Sequence, residues 1–301
     1  MALGAPVGLA PIQLMKTETI IRVLTIAALS GLLLGVGLRL TLQAVVGSLR
    51  RCRLALIVGV NFIVVPALTV TVARAFGLGL EISIGMILLA AAPFAPVVPV
   101  FARLARADLA LAAGLTTLFP ALSAFLTPLV CELALRAVPG AGAVRFSAGG
   151  VLLTLLGTVV LPLGLGLGVN RCAPVFGRRI LRPVEIFAEA IGAVSLAFIT
   201  LTEFRSILAL GWLPLLAMTL VCEASLVMGW LMGGPERGAR RVVGLGTSNR
   251  NIALAVLVAI QSFASTPVVA AVVGNGLLLI LLGLLHVAWW RFGPGTSRTA
   301  L

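Results

Sequence analysis

The sequence predicts an all-α membrane protein that crosses the bilayer several times. Sixty per cent of its 301 residues are hydrophobic and only 10% are charged, whereas a soluble domain has about 45–50% apolar and about 25% charged residues. Such a chain lacks the polar surface that keeps a soluble enzyme in solution, and its hydrophobicity also excludes intrinsic disorder. Its four cysteines show neither a disulfide framework nor metal-ligand spacing, so we expect no metal site. The sequence has no Walker motif and no HExxH, GxSxG or paired-acid constellation within a span, so we expect no cofactor and no enzymatic activity.

Nine apolar runs have the length of about 17–25 residues that a membrane-spanning helix needs. A short N-terminal tail, 1–19, precedes these runs, and a C-terminal tail, 291–301, follows them. The nine predicted spans are 20–42, 54–75, 82–102, 109–133, 148–169, 184–204, 209–233, 241–263 and 267–290.

The basic residues predict the orientation of these spans. The connections after the odd-numbered spans, with the C-terminal tail, contain fourteen of them, whereas the other side contains five. Because positive residues concentrate on the cytoplasmic side, we expect a multi-pass protein of the cell membrane with an external N-terminus and a cytoplasmic C-terminus. The basic residues are then explained by the orientation of the protein in the lipid bilayer, and we expect no nucleic-acid partner.

Two predicted spans contain sequences that interrupt a helix. The third contains "AAPFAPVVPVF", with Pro93, Pro96 and Pro99, and each proline removes a backbone donor and clashes with the preceding turn. The eighth contains "GLGTSNRNIALA", which places polar residues near the middle of the bilayer. Irregular backbone at that depth is tolerated only where protein buries it or where it lines a cavity.

Interrupted spans at corresponding positions of two halves are typical of secondary transporters built from inverted repeats. Spans one to four would mirror spans six to nine, with span five connecting them. We therefore expect Gly246 to contribute to the eighth break, and the neighbouring polar side chains to line a substrate cavity: Thr247, Ser248, Asn249, Arg250 and Asn251.

Three segments resemble the bile acid:sodium symporter family, within the wider superfamily that includes arsenite-efflux permeases. "GVGLRLTLQAVVGSLRRCRLALIVGVNFIVVPAL" resembles the family's first helix, basic loop and second helix. "GMILLAAAPFAPVVPVFARLARADLALAAGLTTLFPALSAFLTPLV" resembles its P-G-G-T-A-S-N segment and the helix that follows. "GTSNRNIALAVLVA" resembles its E-T-G-x-Q-N-x-x-L-A segment. The three matches occur in the family's order.

The resemblance implies two domains that rock against each other for alternating access. A panel domain would contain spans 1, 5 and 6 (20–42 and 148–204), and a core domain would contain spans 2–4 and 7–9 (54–133 and 209–290). The broken third and eighth spans would cross at the substrate site.

The resemblance also implies sodium sites, but most of their ligands are missing. The family's Ser-Asn pair falls on Val98 and Pro99, its glutamate on Gly246 and its glutamine on Arg250. Sodium is a hard cation that needs oxygen ligands, and Asn61 and Thr116 are the side-chain oxygens that remain. We therefore expect sodium coupling to be weak or absent.

Arg250 and Glu223 both lie near the middle of their spans, where an unpaired charge is costly. We expect Arg250 to neutralise Glu223 or to cap carbonyls of the broken helices, or to act as a fixed positive charge for an anionic substrate or in place of sodium; these roles can coexist. Glu223 is then either the partner of Arg250 or a proton-coupling carboxyl. We place His286, with Trp289 and Trp290, in an interfacial aromatic belt.

The sequence therefore predicts a secondary transporter of a small or amphipathic organic anion. Two alternatives remain. One is an efflux permease for an oxyanion such as arsenite, although those proteins use a cysteine near the third-span break, where this chain has Ala92, Pro93 and Phe94. The other is a membrane receptor or scaffold that kept the fold and lost transport.

Overall fold

The computed structural model describes residues 10–39, 42–50, 52–140, 146–264 and 266–292, and every regular element within these ranges is a helix. The all-α fold class is therefore confirmed. The α-helices are α1 (Ala10–Arg39), α2 (Leu42–Leu49), α3 (Leu54–Gly59), α4 (Val65–Ala75), α5 (Leu80–Ala90), α6 (Val98–Leu104), α7 (Leu109–Arg136), α8 (Ala148–Leu155), α9 (Leu161–Cys172), α10 (Pro174–Thr202), α11 (Phe204–Leu208), α12 (Trp212–Met232), α13 (Arg237–Ser248), α14 (Ile252–Ser262) and α15 (Val268–Phe292). π-helical turns at Val60–Val64 and Leu156–Val160 join α3 to α4 and α8 to α9.

Eight helical stretches in the described part of the chain are long and apolar enough to cross a membrane. They correspond to all the predicted spans except the third, which is divided into α5 and α6. The chain is thus a polytopic membrane protein, and the count of nine spans stays a prediction. So do the inverted repeat and the division into panel and core.

Two helices extend beyond the predicted spans. α1 begins at Ala10, inside the predicted tail 1–19, and α10 begins at Pro174, in the predicted connection before span six. Proline at the first position suits a helix start because its missing N–H has no partner there in any case. The side chains of Arg178, Arg179 and Arg182 on α10 are exposed, as on a helix that continues past the bilayer. Residues 1–9 and 293–301 of the predicted tails lie outside the described residues.

α1 packs most extensively against α9 and α10. At its crossing with α9, a Cβ on Gly37 would overlap the carbonyl of Leu163, and a Cβ on Gly166 would overlap the carbonyl of Leu34. Such contacts let two membrane helices approach closely. The three helices pack together, and α1 and α10 line one wall of the cavity described below.

The two interrupted helices face this wall. α5 and α6 are separated at Ala91–Val97, and α13 and α14 are separated at Asn249–Asn251. α15 packs against α5 and α14, and α12 packs against α13. Both predicted breaks are therefore present, and helices on several sides bury them, which satisfies the requirement for irregular backbone at membrane depth.

Candidate functional site

The two breaks are joined by backbone hydrogen bonds. The polypeptide between α5 and α6 runs beside the one between α13 and α14, so that each satisfies N–H and carbonyl groups that the other leaves without helical partners. The three bonds run from the N–H of Phe94 to the carbonyl of Gly246 (3.2 Å), from Ala95 to Asn249 (3.1 Å) and from Asn251 to Ala92 (2.7 Å).

The three prolines have different positions in the first break. Pro93 is buried within the irregular segment. Pro96 lies at its far end and lines a cavity. Pro99 lies in the first turn of α6, where proline is tolerated, and therefore does not interrupt a helix.

Phe94 is a site residue that the sequence analysis missed. Its backbone has φ of 58°, which side chains other than glycine rarely adopt. Its ring is fully buried and stacks on Phe119 with 4.2 Å between the centroids. The same ring fills the space beside Gly246, where any Cβ would overlap it. No sequence motif marks a phenylalanine between two prolines as functional.

Gly246 is not at the second break, as we expected, but inside the last turns of α13. Helical hydrogen bonds continue past it, because the N–H of Asn249 still reaches the carbonyl of Leu245 at 2.8 Å. Its function is to leave room for the Phe94 ring. Thr247 and Ser248 also belong to α13, and the irregular segment is Asn249–Asn251.

The two asparagines of the break satisfy backbone groups at helix ends. Asn249 donates from Nδ2 to the carbonyl of Leu245 at 3.1 Å. Asn251 caps α14, because its Oδ1 accepts the N–H of Leu254 at 3.1 Å. This bond fixes the orientation of the Asn251 amide, and its Nδ2 is then a buried donor without a partner.

The structure joins Asn61 to Thr247. Nδ2 of Asn61 donates to Oγ1 of Thr247 at 3.1 Å, and Oδ1 of Asn61 has no partner. Asn61 lies in the first π-helical turn, an irregularity that is frequent at functional sites. Thr116 is not part of this contact, since its hydroxyl donates to the carbonyl of Ala112 at 2.7 Å.

Arg250 is buried, with 4% of its surface exposed. Its Nη1 donates to the carbonyl of Ala90 at 3.0 Å, and its Nη2 has no hydrogen-bond partner. Ala90 is the last residue of α5, so the guanidinium lies at the C-terminal end of that half-helix.

The expected pairing of Arg250 with Glu223 is wrong. Oε2 of Glu223 lies 3.1 Å from Nε2 of His286, and this contact joins α12 to α15. The ring of His286 lies next to that of Trp290, with 6.1 Å between the centroids. The two charged groups that the sequence places at similar depth thus have different neighbours.

A cavity of about 440 Å³ lies between the wall of α1 and α10 and the two breaks. Most of the residues that line it are apolar, and its polar lining residues are Thr25, Glu189, Ser195, Asn249, Arg250 and Asn251. A second cavity of about 200 Å³ shares part of this lining. Its charged residues are Arg39, Arg103, Glu185 and Glu189, and Arg39 forms an ion pair with Glu185.

The residues at the breaks do not fit a sodium ion of the kind that the resemblance implies. Gly246 supplies no oxygen ligand from its side chain, and Phe94 fills the space that a carboxylate there would need. The carbonyl of Ala90 accepts from a guanidinium. Within the described ranges, no group of three or more His, Cys, Asp or Glu side chains could hold a metal ion.

Comparisons with known proteins agree on one family. The model of the Sodium Bile acid symporter family matches residues 26–210. The chain is 25% identical over 276 residues to "Probable sodium/metabolite cotransporter BASS3, chloroplastic" of Oryza sativa subsp. japonica, which covers 88% of this chain and 63% of that protein. It is 28% identical to the protein of the same description from Arabidopsis thaliana, over 88% of this chain and 62% of that protein. The chain therefore spans less than two thirds of the length of these relatives.

Proposed function

The chain belongs to the Sodium Bile acid symporter family, and we propose that it is a secondary active transporter of a small or amphipathic organic anion. Transport proceeds by alternating access, in which α1, α9 and α10 move against the two crossing helices. Its relatives are described as sodium/metabolite cotransporters, which supports transport of a metabolite at the family level.

The observation that carries this proposal is the cavity between the wall and the breaks. Ligand sites are concave, largely apolar and have a few polar groups that fix the orientation of the ligand. The 440 Å³ cavity is mainly apolar and has a few polar lining residues, and this combination suits a molecule with an apolar body and one charged group.

The N-terminus of α14 is the binding site for the anionic group. The unpaired N–H groups and the dipole of a helix N-terminus attract negative charge, and α14 begins directly after Asn251 at the cavity. Nδ2 of Asn251 adds a donor that lacks a partner. Arg250 makes no hydrogen bond to the anion, since its Nη1 already donates to a carbonyl and its Nη2 is buried.

The alternative of an oxyanion permease has less support. An inorganic oxyanion is small and hydrated, whereas the cavity is large and mainly apolar. The alternative of a receptor or scaffold without transport also has less support, because a site that no longer binds a substrate is not expected to keep a buried donor without a partner, such as Nδ2 of Asn251.

The test is anion binding to purified protein in choline chloride buffer, measured by thermal shift. We use taurocholate as the amphipathic anion and arsenite as the oxyanion. Asn251→Asp keeps the helix cap, because aspartate caps as well as asparagine, but replaces the free donor by a negatively charged oxygen. Ser147→Asp is the matched control, since Ser147 caps α8 and lies on an exposed surface away from the cavity.

Taurocholate is expected to stabilise the wild type and Ser147→Asp equally. Asn251→Asp should weaken its binding about ten-fold or more, which corresponds to about 1.4 kcal/mol. Equal binding of taurocholate to Asn251→Asp and Ser147→Asp would mean that Asn251 is not part of the anion site. Stabilisation by arsenite alone would favour the oxyanion permease, and no response to either anion would favour the receptor or scaffold.

A further inference from the structure

We propose that the guanidinium of Arg250 is a built-in cation, which neutralises the meeting point of two half-helices and replaces an inorganic cation there. This inference rests on the proposed transport function, and it adds that the transport cycle needs no sodium ion. It starts from the poor fit of the breaks to sodium.

The C-terminal ends of the two first half-helices meet at Arg250. α5 ends at Ala90, whose carbonyl accepts from Nη1 of Arg250. α13 ends at Ser248, two residues before Arg250, and both residues line the same small cavity. A helix C-terminus has the effect of about half a negative elementary charge. About one positive charge therefore neutralises the two ends together.

The polypeptide itself provides this charge. Half-helix C-termini and freed carbonyls are the groups that coordinate cations in transporters with broken helices. Here one of those carbonyls binds a guanidinium that is covalently part of the chain. A guanidinium keeps its charge in proteins, and 4% exposure separates it from the solvent.

The remaining space beside Arg250 contains nothing that offsets the charge of a second cation. The cavity beside Arg250 has about 20 Å³, room for about one water molecule. Nη2 of Arg250 and Oδ1 of Asn275 line it without hydrogen-bond partners. A sodium ion there would face a positive guanidinium, with no carboxylate among the residues that line this cavity.

A covalently fixed cation does not bind and dissociate during the cycle. A sodium gradient can be coupled to transport only if sodium binds to one conformation more tightly than to another. Because Arg250 is part of the chain, no ion has to bind or dissociate to neutralise the crossing, and sodium in the buffer should have no differential effect.

The test replaces Arg250 and asks whether sodium then becomes a ligand. Wild type, Arg250→Lys and Arg250→Gln are purified, and Tm is measured at equal ionic strength in sodium chloride and in choline chloride. Lysine keeps the positive charge, whereas glutamine removes it and supplies an amide oxygen.

The Tm of the wild type should not differ between the two salts, and the same should hold for Arg250→Lys. Arg250→Gln should unfold on the order of 10 °C lower in choline, because the helix ends lose their counter-charge, and should regain about 5 °C in sodium. If Arg250→Gln is as stable as the wild type in choline, or if sodium stabilises the wild type, the proposal is overturned. If Arg250→Gln cannot be purified, Arg250→Lys decides, since a fall as large as 10 °C in both salts would mean that the guanidinium geometry matters and the charge does not.

Taurocholate binding by the same samples separates this proposal from the proposed function. Sodium-dependent stability of Arg250→Gln without anion binding by any sample would support the built-in cation and contradict the transport of organic anions. Anion binding together with a sodium effect on the wild type would support the transport of organic anions and contradict the built-in cation.

Discussion

The ring of Phe94 lies against the backbone of Gly246, in the space that any side chain at position 246 would occupy. The N–H of Phe94 also donates to the carbonyl of Gly246 at 3.2 Å. The two residues lie on opposite broken helices, so this contact fixes how the helices cross. It also explains why position 246 needs a glycine, although the resemblance implies a carboxylate there.

The first prediction is that substitutions at these two positions are strongly non-additive. Gly246→Ala forces the Phe94 ring out of place, and Phe94→Ala leaves a cavity beside Phe119 that costs about 3–5 kcal/mol. In the double variant the new methyl group enters the space that the ring vacated. We expect the double variant to be more stable than the sum of the single effects predicts, by about 1–3 kcal/mol.

Thermal or denaturant unfolding of the four proteins in one detergent measures this difference. Purely additive effects would mean that the ring and the glycine do not share one space.

The second prediction concerns Glu223 and His286. Nδ1 of His286 lies 2.7 Å from the carbonyl of Leu282 and must donate to it. Nε2 and the Glu223 carboxyl then share one proton, as either a charged or a neutral pair. Removing either partner leaves the other group without its hydrogen bond in the bilayer region.

A double-mutant cycle of Glu223→Ala and His286→Ala should therefore give a coupling energy of about 0.5–3 kcal/mol. The control cycle combines Glu223→Ala with Arg250→Lys, and those effects should add to within about 0.5 kcal/mol. If Glu223→Ala is coupled to Arg250→Lys and not to His286→Ala, Glu223 pairs with Arg250 and not with His286.

The third prediction tests the close crossing of α1 and α9. Gly166→Ala should destabilise the protein, because its Cβ would overlap the carbonyl of Leu34 and the backbone of Gly37. Gly164 lies on the same helix with nothing within 4 Å of an added Cβ, so that Gly164→Ala should be neutral or gain about 0.5–1 kcal/mol from helix propensity. Equal Tm values for the two variants would contradict the packing described here.

The sequence predicted the helical fold and the two breaks because both follow from local composition. Runs of apolar residues require helices in a bilayer, and three prolines as closely spaced as Pro93, Pro96 and Pro99 do not fit one straight helix. The start of α10 at Pro174 could not be predicted from the same rule. Its arginines look like a cytoplasmic connection, but a helix can extend beyond the bilayer while long side chains reach water.

The site was predictable only in part. Asn249, Arg250 and Asn251 stood out because polar residues are costly at that depth. The partner of Glu223 was not predictable, since depth in the bilayer does not specify which helix faces which. Phe94 was missed for a related reason: its importance comes from a contact with Gly246, 152 positions away along the chain.

Uptake of radiolabelled taurocholate into proteoliposomes tests the central claim most directly, namely that this protein carries an organic anion without using sodium. Wild-type proteoliposomes are compared with protein-free liposomes, each in sodium chloride and in choline chloride at equal ionic strength. We predict uptake that exceeds the protein-free control, that differs less than about two-fold between the two salts and that Asn251→Asp reduces about ten-fold, a change that corresponds to about 1.4 kcal/mol. A ten-fold rise in wild-type uptake on replacing choline by sodium, equivalent to about 1.4 kcal/mol of coupling, would contradict the account.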